Sequence, residues 1–143
     1  MNASIFETVQ RSASPAAPPV SLRLQLLAGC AFAVTAAALI GDPSSFAAAD
    51  PELALLLRGM AAIKGSLVAA AAALALWRFG LPIGAMMATG YVACVSAMAF
   101  ATVLVWQLSF IVPAAALFHA AGLLLLVVAW RDDGRRSLFA RQR

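Results

Sequence analysis

The chain has 143 residues, 64% of them hydrophobic and only 11% charged, with a net charge of +4. Soluble domains run at roughly 45–50% apolar and about 25% charged, so an ordinary water-soluble domain is excluded. The positive balance does not point to nucleic acid, because no basic stretch is interleaved with aromatics in a soluble segment.

Residues 1–21 hold three prolines and four serines and read as a flexible polar tail with little to bury. A first apolar block then runs from Leu22 to Ile40, broken only by Arg23 near its start, and Gly41-Asp42-Pro43 ends it. This block can be read instead as a signal sequence cut at Ala47-Ala48-Ala49. Its 19 residues are long for a signal core of about 7–15, and the tail before it is only weakly basic. An intact first helix is therefore expected.

Asp50-Pro51-Glu52 reads as a helix start: Asp50 caps, Pro51 suits the first position, and Glu52 faces the positive end of the helix dipole. The second block runs from Glu52 to Trp77, about 39 Å at 1.5 Å per residue, which is enough to cross a bilayer with tilt. Arg78-Phe79-Gly80-Leu81-Pro82 makes a turn. The third block covers Ile83–Val105 and stops at Trp106 to Phe110, aromatics suited to the interface. The fourth covers Ile111–Trp130, with Pro113 in its first turn, where proline is tolerated. A basic tail, 131–143, follows.

The expected architecture is all-α: an integral-membrane, four-helix up-down bundle. Eight of the ten basic residues fall before or at the start of the first block, in the middle turn or in the C-terminal tail, and the two opposite loops have none. By the positive-inside rule both termini are cytoplasmic. A multi-pass protein of a bacterial inner membrane is expected, and the alanine-rich, lysine-poor composition suits a high-GC genome. Close packing is expected through small residues, such as the Gly65/Ala69 and Ala93/Ala97 steps, with Leu55–Leu57, Leu104 and Leu123–Leu126 facing lipid.

The remaining two basic residues, Arg58 and Lys64, lie inside the second block. Counting from Glu52 puts Arg58 about 9 Å and Lys64 about 18 Å deep, and His119 of the fourth block lies about 12 Å in from the same face. Thr35 and Thr102 fall at about 7 and about 5 Å, so a polar group of Thr35, Arg58, Thr102 and His119 is expected, with Lys64 below it. A charge at this depth costs about 2.5–3.5 kcal/mol even on lenient insertion scales. Arg58 can snorkel to Asp42, Asp50 or Glu52. Lys64 has no such recourse, since Glu7, Asp42, Asp50, Glu52, Asp132 and Asp133 all lie outside the spans or at an edge. It is either neutral, bonded to backbone carbonyls, or balanced by something outside the chain.

His119 reads as a hydrogen-bonded core histidine; as a haem ligand it would need Met60, Met98 or a second copy of itself. No cofactor or metal is expected. Cys30 and Cys94 each sit inside a span and form no C-x-x-C pair, so a thiol-relay site is not supported. No nucleophile–base–acid set, glycine-rich phosphate loop or H-E-x-x-H motif is present, and an enzyme is not expected. Two readings remain: an accessory or scaffold subunit of a larger membrane complex, or a small oligomeric transporter or channel for an anionic or neutral solute using Arg58, Lys64 and His119. The partners expected are membrane lipids, a second membrane subunit supplying an acidic residue, or further copies of the chain, and no nucleic acid.

Overall fold

A computed structural model describes residues 21–42, 44 and 50–140, the side chains of 133–140 excepted. The expected tail over 1–20, the Ala47-Ala48-Ala49 segment and the last three residues lie outside the described residues. The described chain forms four α-helices: α1 (Leu22–Ile40), α2 (Pro51–Arg78), α3 (Ala85–Trp106) and α4 (Ile111–Ala140). All four contain a stretch long and apolar enough to cross a membrane.

Local chemistry sets the helix ends. The Ser21 hydroxyl accepts the Leu24 amide at 3.3 Å and opens α1. The Asp50 carboxylate accepts the Glu52 amide at 2.9 Å, with Pro51 in the first turn, and opens α2. At the end of α3 the chain turns back through Leu108, whose φ of 59° is left-handed. The Ser109 amide there bonds the Leu104 carbonyl at 3.0 Å, a closure that glycine usually provides. Ser109 is buried, and its hydroxyl accepts the Asp42 amide at 2.9 Å, tying the α3–α4 turn to the end of α1. Asp42 in turn accepts from the backbone and hydroxyl of Ser44, which hold its carboxyl below the usual range.

The helices are not equal partners. Half of the most apolar stretch of α3 is buried inside the protein, against 11–17% for the other three. α3 packs against α4, α1 and α2, whereas α1 and α2 meet only slightly and α4 has no comparable packing on either. Two clusters form the core. One gathers Met98, Ala101, Leu104 and Val105 of α3 with Ala37, Ala61, Ala114, Phe118 and Ala121. The other gathers Tyr91 and Val95 with Leu26 and Ala75.

Leu104, expected to face lipid, is instead 5% exposed in the first cluster: it lies on the side of α3 that α4 covers. Small residues set the closest approaches. A Cβ on Gly29 would lie 2.8 Å from Ser96 Oγ and 3.2 Å from Val92 Cγ1, and one on Gly90 would lie 3.2 Å from Val128 Cγ2. Of the two expected steps, Ala69 and Ala93 are exposed, while Gly65 approaches Thr102 and Ala97 packs at the core edge.

α4 also continues past Trp130, the expected end of the fourth block, as one helix to Ala140. No proline follows Trp130, and the arginines and Leu138 of this segment are good helix formers.

Candidate functional site

Each of the two intramembrane cations rests on an aromatic ring. The Arg58 guanidinium carbon lies 5.7 Å from the centre of the Trp106 ring, at the end of α3. The Lys64 ammonium lies 5.0 Å from the centre of the Phe118 ring on α4. Phe118 is 6% exposed and fixed in the core, so its ring is a rigid platform, while Lys64 itself is half-buried. The negative face of the ring attracts the cation and contributes about 2 kcal/mol when the pair is desolvated. That offsets much of the roughly 2.5–3.5 kcal/mol a lysine costs at this depth, but not all of it. Among the described residues Lys64 makes no ion pair. Its balance is therefore partly internal to the chain, through a π face that holds no charge of its own.

His119 follows Phe118 directly and is exposed. Its Nδ1 is 2.7 Å from the Ala115 carbonyl. A carbonyl only accepts, so Nδ1 carries the proton and donates, and in the neutral ring Nε2 is left as an acceptor. Thr102 is half-buried and spends its hydroxyl on the Met98 carbonyl of its own helix at 2.8 Å. Its methyl would lie 3.9 Å from a Cβ on Gly65, next in sequence to Lys64.

Thr35 stands apart. It is exposed, and on α1 it lies about 180° around the helix from the line of buried Leu26, Ala33 and Ala37. Arg58 and Lys64 are also separated, since six residues place them about 120° apart around α2. The five expected residues thus form no single group: Lys64 meets Phe118, whose ring also stands edge-on to His119, Thr102 lies beside Gly65, Arg58 joins Trp106, and Thr35 faces away.

The most fully satisfied polar group is a different one. Arg78, at the end of α2, forms a bidentate ion pair with Asp132 of α4, through Nε to Oδ2 and through Nη2 to Oδ1 at 2.8 Å. Its Nη1 also donates to the Leu81 carbonyl at 3.3 Å, and both terminal nitrogens donate to the Pro82 carbonyl at 3.1 Å. The two side chains are each 8% exposed. Planar, forked guanidinium geometry suits this arrangement, which bolts α2, the following turn and α4 together at one end. From the sequence, Arg78 is read only as a turn charge and Asp132 as part of the tail. The available signal was a pair of opposite charges at the same end of two spans.

An open apolar groove of about 290 Å³ lies between α1 and α4, lined by Ile40, Phe100, Leu104, Phe110, Pro113, Ala114 and Leu117. Cys30 and Cys94 are free thiols. Among the described residues no three His, Cys, Asp or Glu side chains group closely enough to hold a metal. The chain matches no protein-family model, no curated protein and no solved structure.

Proposed function

We propose that this protein is a non-catalytic, multi-pass subunit of a bacterial inner membrane, which acts by associating with another membrane protein. In this reading the four helices cross the bilayer as an up-down bundle with both termini in the cytoplasm. Arg23, Arg78 and Arg131 lie toward one end of the helices, and by the positive-inside rule that clustering supports the orientation. The observation that carries the reading is Lys64: a half-buried mid-span cation, held on an aromatic ring, with no carboxylate beside it among the described residues. Intramembrane ionisable residues meet a partner group, and here the chain offers only part of one.

The separation of Arg58 from Lys64 around α2 favours association over transport, because a solute path would need both on one wall. The test is purification from native membranes in mild detergent. A stoichiometric membrane partner that is lost from Lys64→Met is expected. Recovery of the chain alone, or of the same partner with Lys64→Met, would overturn the reading. Cysteines placed near residues 23 and 131, inaccessible to an impermeant label in intact cells, would support the proposed sidedness, and labelling there would reverse it.

A further inference from the structure

α4 and α2 each pack on α3, and apart from the Lys64–Phe118 contact and the Arg78–Asp132 pair they have little backbone packing on each other, so we read the seam between them as a groove. Its contents follow from the helix faces. Leu117 lines the apolar pocket with Ile40 of α1, so that flank of α4 faces α1. His119, two residues on and about 200° around the helix, is on the opposite flank, away from α1, and Phe118 between the two carries Lys64 of α2. Gly122, one turn after Phe118, also has room: an added Cβ there would meet nothing within 4 Å. The groove therefore has a cation at mid-depth, an exposed imidazole with Nε2 free to accept, and a stretch of wall without a side chain.

We infer that this groove is the docking site for a transmembrane helix of a different protein, one that carries a carboxylate near its middle. The inference rests on the association reading above and names the partner of the same residue. Charge complementarity selects the occupant. A lipid acyl chain brings no anion to mid-depth, and a lipid phosphate stays at the interface, about 18 Å of helix away from Lys64. A second copy of this chain cannot serve either, because all six of its acidic residues lie outside the spans or at their edges. The docked carboxylate takes the free side of the Lys64 ammonium while Phe118 keeps the other. Gly122 lets the partner backbone approach closely, as small residues do between helices in lipid. His119 Nε2 accepts a hydrogen bond from a hydroxyl or amide of the same helix.

The experiment uses the full chain in liposomes, donor-labelled, with acceptor-labelled synthetic leucine–alanine transmembrane helices of about 23 residues. One helix has a single central aspartate and the other a central leucine. Association read by energy transfer is expected to be at least fivefold tighter for the aspartate helix. Lys64→Met removes that preference. Gly122→Leu weakens binding of the aspartate helix at least threefold with Lys64 intact, while Ala69→Leu, on an exposed part of α2 away from the groove, leaves it unchanged. Equal affinity for the two helices, a preserved preference in Lys64→Met, or equal losses in Gly122→Leu and Ala69→Leu would each overturn the inference. So would Lys64-dependent self-association of the chain. A native partner that co-purifies through Lys64 while the aspartate helix shows no preference sinks this inference and leaves the association reading standing; an aspartate preference with no native partner does the reverse.

Discussion

Replacing Asp132 with asparagine keeps the shape of the side chain and removes its charge, leaving the buried Arg78 guanidinium facing a neutral amide, with the Leu81 and Pro82 carbonyls still accepting from it. Breaking a buried pair by neutralising one member costs about 3–5 kcal/mol. The lower figure applies here, because Arg78 keeps its two carbonyl acceptors and stands at a helix end near the membrane surface. At about 3 °C per kcal/mol for a chain of this size, the thermal midpoint should fall by roughly 10 °C. Removing both charges together, as Arg78→Met with Asp132→Leu, leaves no orphaned ion. Such replacements are often near neutral, so the double variant should recover at least half of the loss. The assay is thermal unfolding of the detergent-solubilised protein by far-ultraviolet circular dichroism. An Asp132→Asn variant within about 2 °C of the parent (under about 1 kcal/mol) would refute the reasoning, as would a double variant that falls by the sum of the single ones.

Other substitutions probe separate contacts in the same assay. Gly29→Leu must push α1 off Ser96 and Val92 and should cost about 1–3 kcal/mol, whereas Gly59→Leu, where a Cβ meets open space, should stay within about 0.5 kcal/mol. Ser109→Ala takes away the acceptor of the Asp42 amide and should cost about 1–2 kcal/mol. Phe118→Leu removes the ring beneath Lys64; combined with Lys64→Met it should show a coupling of about 1–2 kcal/mol, since the second change then removes nothing further. Thr102→Val should fall within about 0.5 kcal/mol, because the hydroxyl bonds only its own helix.

Much of the helical layout is legible in the chain because its punctuation is local. Gly41-Asp42-Pro43, Asp50-Pro51 and the Trp106–Phe110 turn stop and start helices through their own backbone chemistry. The site was less legible because its parts meet only through tertiary packing. Arg78 and Asp132 are 54 residues apart, and nothing nearby in sequence says that α4 brings one to the other. Depth counting places Lys64 a few ångströms below His119 but gives no rotation about the helix axes, and rotation decides that Lys64 finds Phe118 while Thr35 turns away. Leu104 was misread for the same reason: leucine suits both lipid and core, and only its angle on α3 separates the two. The clearest unused clue to the role of α3 is that Ile83–Val105 carries no charge at all, as befits the helix with neighbours on most sides.

The dominance of α3 bears on how the chain assembles as it is made. α1 and α2 enter the bilayer first, yet they have little surface in common on which to settle. Until α3 arrives they are two independent segments, so a chain stalled after Arg78 presents unpaired helices rather than a stable hairpin. Insertion of α3 supplies the surface that both were waiting for. The arrival of Asp132, more than fifty residues after Arg78, then locks the far end of α2 in place. Quality control of such a chain would therefore hinge on its third helix, and substitutions there should lower cellular abundance more than equal changes in the other three.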